Sequence, residues 1–102
     1  MVRYHLRFHP SFIGELENAI TYYTKQSGRT GLRFKSAVKK QLNLLKTNPH
    51  TRSVRYDDIR FVRIEKFPYA LHYSINAGNN CVLVHSLLSD YQNPETYWGR
   101  RF

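Results

Sequence analysis

The fold is decided by Tyr69–Leu88, which reads YALHYSINAGNNCVLVHSLL. Its first part, Tyr69–Asn76, alternates apolar residues with small or polar ones, which is the period of a β-strand with one face in the core. The Asn-Ala-Gly-Asn connection that follows is typical of a hairpin. Cys81–Leu88 is almost continuously apolar, and such a run predicts a central strand with both faces buried. The stretch therefore predicts two adjacent antiparallel strands in the middle of a sheet.

A third strand is predicted immediately upstream, over Ile59–Lys66, where apolar side chains fall on both faces. Phe67-Pro68 separates this strand from the hairpin, because proline cannot donate a backbone hydrogen bond and belongs at a strand boundary. The preceding segment, His50–Tyr56, is polar and basic, and we expect it to be irregular. Together the three strands predict an antiparallel meander.

Two amphipathic helices are predicted before the meander. The first spans Pro10–Gln26, because proline suits the first helical position and apolar residues recur at helical spacing at Phe12, Ile13, Leu16, Ala19, Ile20 and Tyr23. The turn cluster Ser27–Gly31 ends it. The second helix spans Gly31–Thr47 and is stopped by Asn48-Pro49. Its apolar stripe consists of Phe34, Val38, Leu42 and Leu45.

The chain opens with Val2–Phe8, whose apolar and basic residues alternate like those of a strand. The predicted order is β-α-α-β-β-β, an α+β fold in which a helical hairpin covers one face of a small, twisted, mainly antiparallel sheet. The first strand either adds at a sheet edge or pairs in parallel with the last strand. The 102 residues suit one domain.

Composition excludes several protein classes. With 41% apolar and 15% aromatic residues, the chain can build a core and is not of the disordered class. The single cysteine, Cys81, cannot form an intramolecular disulfide. The start of the chain carries charges from Arg3 and lacks the long apolar run of a secretory signal peptide, and no apolar window reaches the length of a membrane helix. We therefore expect a cytoplasmic protein without membrane contact.

The chain is strongly basic, with 16 Lys and Arg against 7 Asp and Glu and a formal net charge of +9. Such an excess favours an acidic partner, either nucleic acid or an acidic protein. A solvated outer face that only increases solubility is the alternative. The residues expected to bind a negative partner are Arg33, Lys35, Lys39, Lys40, Lys46, Arg60, Lys66, Arg100 and Arg101.

Short motifs occur in a fixed order along nearly the whole chain: Tyr22-Tyr23, Gly31-Leu32-Arg33-Phe34, Leu45-Lys46-Thr47-Asn48-Pro49, Ile59-Arg60, Phe67-Pro68-Tyr69 and Asn93-Pro94-Glu95. This ordered set resembles the RelE/ParE superfamily of toxins from type II toxin–antitoxin systems, and it lies closer to the ParE-like branch. The resemblance implies a small toxin that is held inactive by a cognate acidic antitoxin. A peptide segment of such an antitoxin wraps the toxin and often covers its basic surface.

The resemblance also implies two modes of action. RelE-like members cut messenger RNA on the ribosome, which requires cations that stabilise phosphate charge and side chains that move protons. ParE-like members bind and poison DNA gyrase and need no catalytic set. If this chain is a metal-independent endoribonuclease, its candidate catalytic residues are Arg60, Arg63, His72, His85 and Tyr91.

The RelE pattern is incomplete in this chain. Phe61 and Ala70 occupy positions at which RelE-like members carry basic residues, and Ser89 and Gln92 stand where many carry a histidine and an arginine. These departures favour a gyrase poison. The alternatives are the ribosome-dependent ribonuclease and a degenerate member that binds its antitoxin without being toxic.

The strand histidines also have a purely structural interpretation. Strict alternation places His85 on the same face as Leu83 and Leu87, and it places His72 opposite Leu71 and Tyr73. The histidines and the single cysteine show no compact metal-ligand spacing, so we expect no metal. We expect no cofactor either, because the chain has no Gly-rich phosphate loop.

Overall fold

The computed structural model describes residues 3–90. The helices and strands in this part are β1 (His5–Phe8), α1 (Pro10–Gln26), α2 (Gly28–Leu45), β2 (Val54–Tyr56), β3 (Ile59–Arg63), β4 (Tyr69–Asn76) and β5 (Cys81–Ser89). Short 3-10 turns lie at Pro49–Thr51 and Ala77–Asn79. Within residues 3–90, neither helix combines the length and hydrophobicity needed to cross a bilayer.

The strands form one mixed sheet in the order β1-β5-β4-β3-β2. β1 pairs in parallel with β5, and all other neighbours are antiparallel. The two helices supply the long crossover that a parallel pairing of β1 with β5 requires. The predicted α+β architecture is confirmed. The first strand meets both alternatives at once, since it lies at an edge of the sheet and pairs in parallel with the last strand.

The first helix has the predicted bounds, whereas the second begins earlier than predicted. His9 Nδ1 accepts a hydrogen bond from the Ser11 amide at 3.0 Å, so it caps α1 just before Pro10. α2 begins at Gly28, so the prediction of a turn over residues 27–31 is wrong. Ser27 alone separates the helices. Gly31 lies against Thr24 of α1, so this glycine serves close helix packing and not a turn. α2 also ends at Leu45, slightly before the predicted end.

The segment predicted to be irregular contains an additional strand. Val54 and Tyr56 pair with Arg60 and Ile59, and Asp57, with φ of 48°, lies in the tight turn that joins β2 to β3. β3 itself ends at Arg63, because the chain turns back towards β4 over the next residues. Residues 64–66, which the sequence pattern assigned to this strand, belong to that connection.

The helices are joined to the sheet by a cluster of four aromatic rings. Tyr23 of α1 and Phe34 of α2 lie 4.9 Å apart between ring centroids. Phe67 lies 4.9 Å from Tyr23 and 5.0 Å from Phe34, and Tyr69 lies 5.3 Å from Phe34. The cluster therefore connects both helices to the β3–β4 turn. The rest of the core extends from it through Phe12, Val38, Leu45, Val62, Leu71, Tyr73, Val82, Val84 and Leu87.

A β-bulge changes the predicted faces of β5. Tyr73 is opposite Val84, but His72 is opposite Ser86, so His85 is an extra residue on β5. The residues after the bulge change face, and Leu87 joins the helix-side core. Placing Leu87 on the face of His85 was therefore wrong, because strict alternation does not hold across a bulge.

Replacement of Gly31 by alanine is expected to destabilise the fold. The added Cβ would lie 2.1 Å from Thr24 Oγ1 and 3.1 Å from Thr24 Cα, so the helices must separate. We expect a loss of about 1–3 kcal/mol in the free energy of unfolding by urea titration. Gly28→Ala is the matched control, because nothing lies within 4 Å of its Cβ position. Equal stability of Gly31→Ala and Gly28→Ala would contradict this packing.

Tyr73→Phe tests the attachment of the loop after α2. The buried Tyr73 hydroxyl donates a 2.6 Å hydrogen bond to the carbonyl of Pro49, which is also buried. Removal of the hydroxyl leaves that carbonyl without its donor. We therefore expect the free energy of unfolding, measured by heat or urea, to fall by about 1–3 kcal/mol. A Tyr73→Phe variant as stable as the wild type would contradict the assignment of this bond.

Candidate functional site

A groove opens along the outer edge of β3. β2 pairs only with Ile59 and Arg60, so within residues 3–90 the edge of β3 beyond them has no partner strand. The groove has a volume of about 1010 Å³, and we call it the β3-edge groove. It is lined by Gln41, Arg52, Arg55, Phe61, Arg63, Ile64, Glu65, Lys66, Phe67, Pro68, Ala70 and Asp90.

The rim of the β3-edge groove is mainly cationic. Arg63 Nη2 contacts Asp90 Oδ2 at 2.8 Å, and the pKa of Asp90 is lowered by this hydrogen bond. Because both side chains are exposed, this ion pair contributes little to stability. Arg52, Arg55 and Lys66 have no ion-pair partner among residues 3–90. The groove therefore carries positive charge that its own carboxylates do not neutralise.

An aromatic and histidine cluster borders the groove on the face of the sheet away from the helices. The rings of Phe61 and His72 lie 4.0 Å apart, and Tyr56 packs edge-on against Phe61 at 5.4 Å. Tyr56 Oη lies 3.2 Å from His72 Nδ1, within hydrogen-bond distance. Burial, with a smaller contribution from neighbouring His85, lowers the pKa of His72 to about 4. His72 is therefore neutral near pH 7.

The candidate catalytic residues are only partly brought together: Arg63 and His72 line the same small pocket on the face of the sheet away from the helices. Arg60 and Arg63 lie on opposite faces of β3, since strand side chains alternate, and the Arg60 guanidinium donates to the Arg52 carbonyl. Buried His85 Nε2 lies 2.8 Å from buried Ser74 Oγ. His72 is held by Tyr56 and Phe61, as described above. Tyr91 lies outside the described residues.

The candidate binding cations occupy separate surfaces. Arg33, Lys35, Lys39 and Lys40 are exposed on α2. Lys40 also pairs with Glu65 at 3.1 Å, which links α2 to the end of the β3-edge groove. Lys46 caps α2 and is half-buried, whereas Lys66 lines the groove. Arg100 and Arg101 lie outside the described residues.

A second groove runs along α2, beside the cations. It has a volume of about 700 Å³ and includes Leu32, whose side chain is 68% exposed. Arg29, Arg33, Lys40 and Lys66 line the same groove, together with Glu65. A single exposed apolar residue is common on protein surfaces, so the cations are the distinctive feature of this groove.

Three residues of the β3-edge groove were not predicted from the sequence. Arg52 and Arg55 fell in a segment expected to be irregular, although Val54-Arg55-Tyr56 followed by two aspartates is a short hairpin signal. Gln41 occupies the apolar stripe of α2 and is 7% exposed. Its Oε1 has no hydrogen-bond partner in the described part of the chain. No sequence signal shows that this polar side chain lies beside a groove.

Among the described residues, no group of three His, Cys, Asp or Glu side chains could hold a metal ion.

Comparison with known proteins relates this fold to toxins. Residues 6–94 match the family model for the ParE toxin of the type II toxin–antitoxin system parDE. A structure of the chromosomal ParDE system from P. aeruginosa is similar, with a TM-score of 0.71 and 12% identity over 85% of this chain and 96% of that chain. The isolated E. coli RelE toxin is also similar, with a TM-score of 0.52 and 18% identity over 94% of each chain. No curated protein sequence matches significantly.

His72 makes stability depend on pH. Its pKa is about 4 in the fold against 6.5 as the ordinary value, so the unfolded chain binds more protons between these values. The contribution of neutral His72 to the free energy of unfolding is complete above pH 6.5, and it declines as pH falls towards 4. Between pH 7.5 and 5 we expect wild type to lose about 2 kcal/mol more unfolding free energy than His72→Gln. Identical pH slopes in urea titrations of the two proteins would contradict the assignment.

Proposed function

We propose that this chain, which belongs to the ParE toxin family of type II toxin–antitoxin systems, acts on DNA gyrase by protein–protein contact. The resemblance of its motifs to the ParE-like branch supports this target. A toxin of this kind needs an exposed binding surface and no catalytic residues. The two cationic grooves offer such a surface, and the groove along α2 also includes the exposed Leu32.

The observation that carries the proposal is that Arg60 and His85 do not line the pocket that Arg63 and His72 share. General acid–base catalysis requires side chains within hydrogen-bond reach of the same reacting atoms. Arg60 lies on the helix side of the sheet, and His85 is bonded to buried Ser74. His72 is neutral and packs against Phe61. The structural contacts of these side chains therefore account for their positions without a catalytic role.

Electrostatics also weaken the nuclease alternative. A ribonuclease must stabilise the developing charge of the scissile phosphate, and loss of one such group costs roughly 2.7–4 kcal/mol of barrier. Arg63 lines the same pocket as His72, but it is already paired with Asp90. Ala70 occupies the position at which RelE-like members carry an arginine.

Membership of this family implies an antitoxin partner. We propose that the antitoxin is acidic and that it neutralises the toxin by covering the cationic grooves, where charge complementarity favours binding. Because gyrase acts on chromosomal DNA, the cytoplasm is the proposed location. This agrees with the absence of a membrane-spanning helix among the described residues.

Induced expression in bacteria distinguishes the modes of action. A gyrase poison should produce double-strand DNA breaks and an SOS response while transcripts stay intact. His72→Gln should remain as toxic as the wild type, because buried His72 lines neither cationic groove and has no catalytic role in this mode. Co-expression of a neighbouring acidic reading frame should restore growth.

Two results would overturn this proposal. Rapid loss of translation with cleaved transcripts, abolished by Arg63→Ala, would establish the ribonuclease. Unaffected growth, with folded toxin detected in the cells, would establish a member that has lost toxicity.

A further inference from the structure

We propose that the groove along α2, which we call the α2 groove, binds the phosphate backbone of duplex DNA. DNA is the molecule on which gyrase acts, so this inference adds a second ligand to the proposed contact with gyrase. Its role in poisoning gyrase rests on the proposed function, whereas DNA binding itself does not. An acidic antitoxin that covers the groove would compete with DNA for the same cations.

The charges of α2 are those of a helix that faces a polyanion. Arg29, Arg33, Lys35 and Lys39 are exposed, and the helix contains no Asp or Glu. Arg29 and Arg33 are four residues apart, as are Lys35 and Lys39, and like charges at this spacing destabilise a helix. Charges of alternating sign are typical of a helix that is exposed only to solvent. The single sign of charge therefore favours a negatively charged partner.

Hydroxyl groups accompany the cations in the α2 groove. Thr30 and Ser36 line it together with Arg29, Arg33 and Lys66. Phosphate oxygens accept hydrogen bonds from all four of these residue types, and such contacts make up the larger share of protein–DNA hydrogen bonds. The lining of the groove therefore matches the chemistry of a phosphodiester backbone.

The carboxylate in the α2 groove is already paired. Among the described residues that line the groove, Glu65 is the only acidic one, and its Oε1 lies 3.1 Å from Lys40 Nζ. Arg29, Arg33 and Lys66 have no ion-pair partner among residues 3–90. These cations remain to neutralise phosphates, so the plot of log affinity against log salt should have a slope of about −3.

The backbone of Lys66 also points to a function for its side chain. Its φ is 69°, in the left-handed region that glycine adopts readily and that other residues adopt at a cost. Strained backbone of this kind is found at functional sites. Lys66 lines both the α2 groove and the β3-edge groove. Retention of a lysine at this position is explained if its ammonium group binds a ligand.

The composition of the α2 groove suits DNA better than a folded protein surface. Protein interfaces are depleted of charge at their core, whereas protein–DNA interfaces are more polar and more positive. Cations and hydroxyl groups dominate here, and Leu32 is exposed among them. The 18 residues of α2 extend over about 27 Å. One strand of a duplex carries about eight phosphates over that length.

The test measures binding of the full chain to a fluorescent DNA duplex of about 20 base pairs, which is two helical turns. Anisotropy at several salt concentrations gives the affinity and its salt dependence. We expect a dissociation constant of about 1–100 μM at physiological salt. Arg29→Gln/Arg33→Gln should weaken binding about tenfold or more and make the salt slope less steep by about two.

Arg3→Gln/Arg7→Gln is the matched control. Arg3 and Arg7 are also exposed and four residues apart, but they lie at the β1 edge of the sheet, away from β3 and its turn. The same loss of charge should change the affinity about twofold or less, because distant exposed charges are screened at about 0.15 M salt. Circular dichroism checks that each variant is folded.

Lys66→Gly separates binding from folding. Glycine adopts the φ of 69° without strain, so this variant should be at least as stable as the wild type in urea. Loss of the ammonium group should nevertheless weaken DNA binding and make the salt slope less steep by about one. DNA binding equal to that of the wild type would contradict the role given to Lys66.

Three results would overturn the proposal. The first is the absence of saturable DNA binding. The second is an equal loss in Arg29→Gln/Arg33→Gln and Arg3→Gln/Arg7→Gln, which would show binding by net charge alone. The third is tighter binding of a duplex RNA of the same sequence, or of a poly-glutamate of equal charge. Because the assay contains no gyrase, a chain that spares gyrase in cells can still bind DNA, and failure of one proposal is not mistaken for failure of the other.

Discussion

The packing of Tyr23, Phe34, Phe67 and Tyr69 is the constraint on which the rest of the structure depends. The rings come from both helices and from the β3–β4 turn, with neighbouring centroids about 5 Å apart. Aromatic side chains bury large apolar areas and prefer the inclined geometries seen here. The cluster thus fixes the helical hairpin on one face of the sheet, and it fixes the turn that ends β3.

This arrangement determines where the candidate functional surface lies. With the turn held against the helices, the end of β3 stays beside α2, and Lys40 reaches Glu65 at the edge of the sheet. β2 is too short to cover that edge, so a cationic groove remains between sheet and helix. In the proposed function, this surface contacts the target and is covered by the antitoxin, so coverage alone would silence the toxin.

Much of the fold could be predicted from periodicity, because α1, β4 and β5 have long patterns with clear boundaries. The errors arose where a residue has a role that local pattern does not encode. Gly31 marked a turn in the sequence but serves helix packing against Thr24. The bulge at His85 reverses the alternation that the sequence suggests. The β3-edge groove could not be predicted from the sequence, because Gln41 and Arg55 come to line the same groove only through the pairing of distant segments.

The most direct test of the aromatic cluster is native-state hydrogen exchange of Phe34→Ala compared with the wild type. Phe34 is fully buried at the centre of the cluster, so its truncation should cost about 3–5 kcal/mol. If the cluster joins helices and sheet into one unit, amides of α1, α2, β4 and β5 should lose protection by the same amount. Loss confined to the helices, with β4 and β5 still protected as in the wild type, would contradict this account.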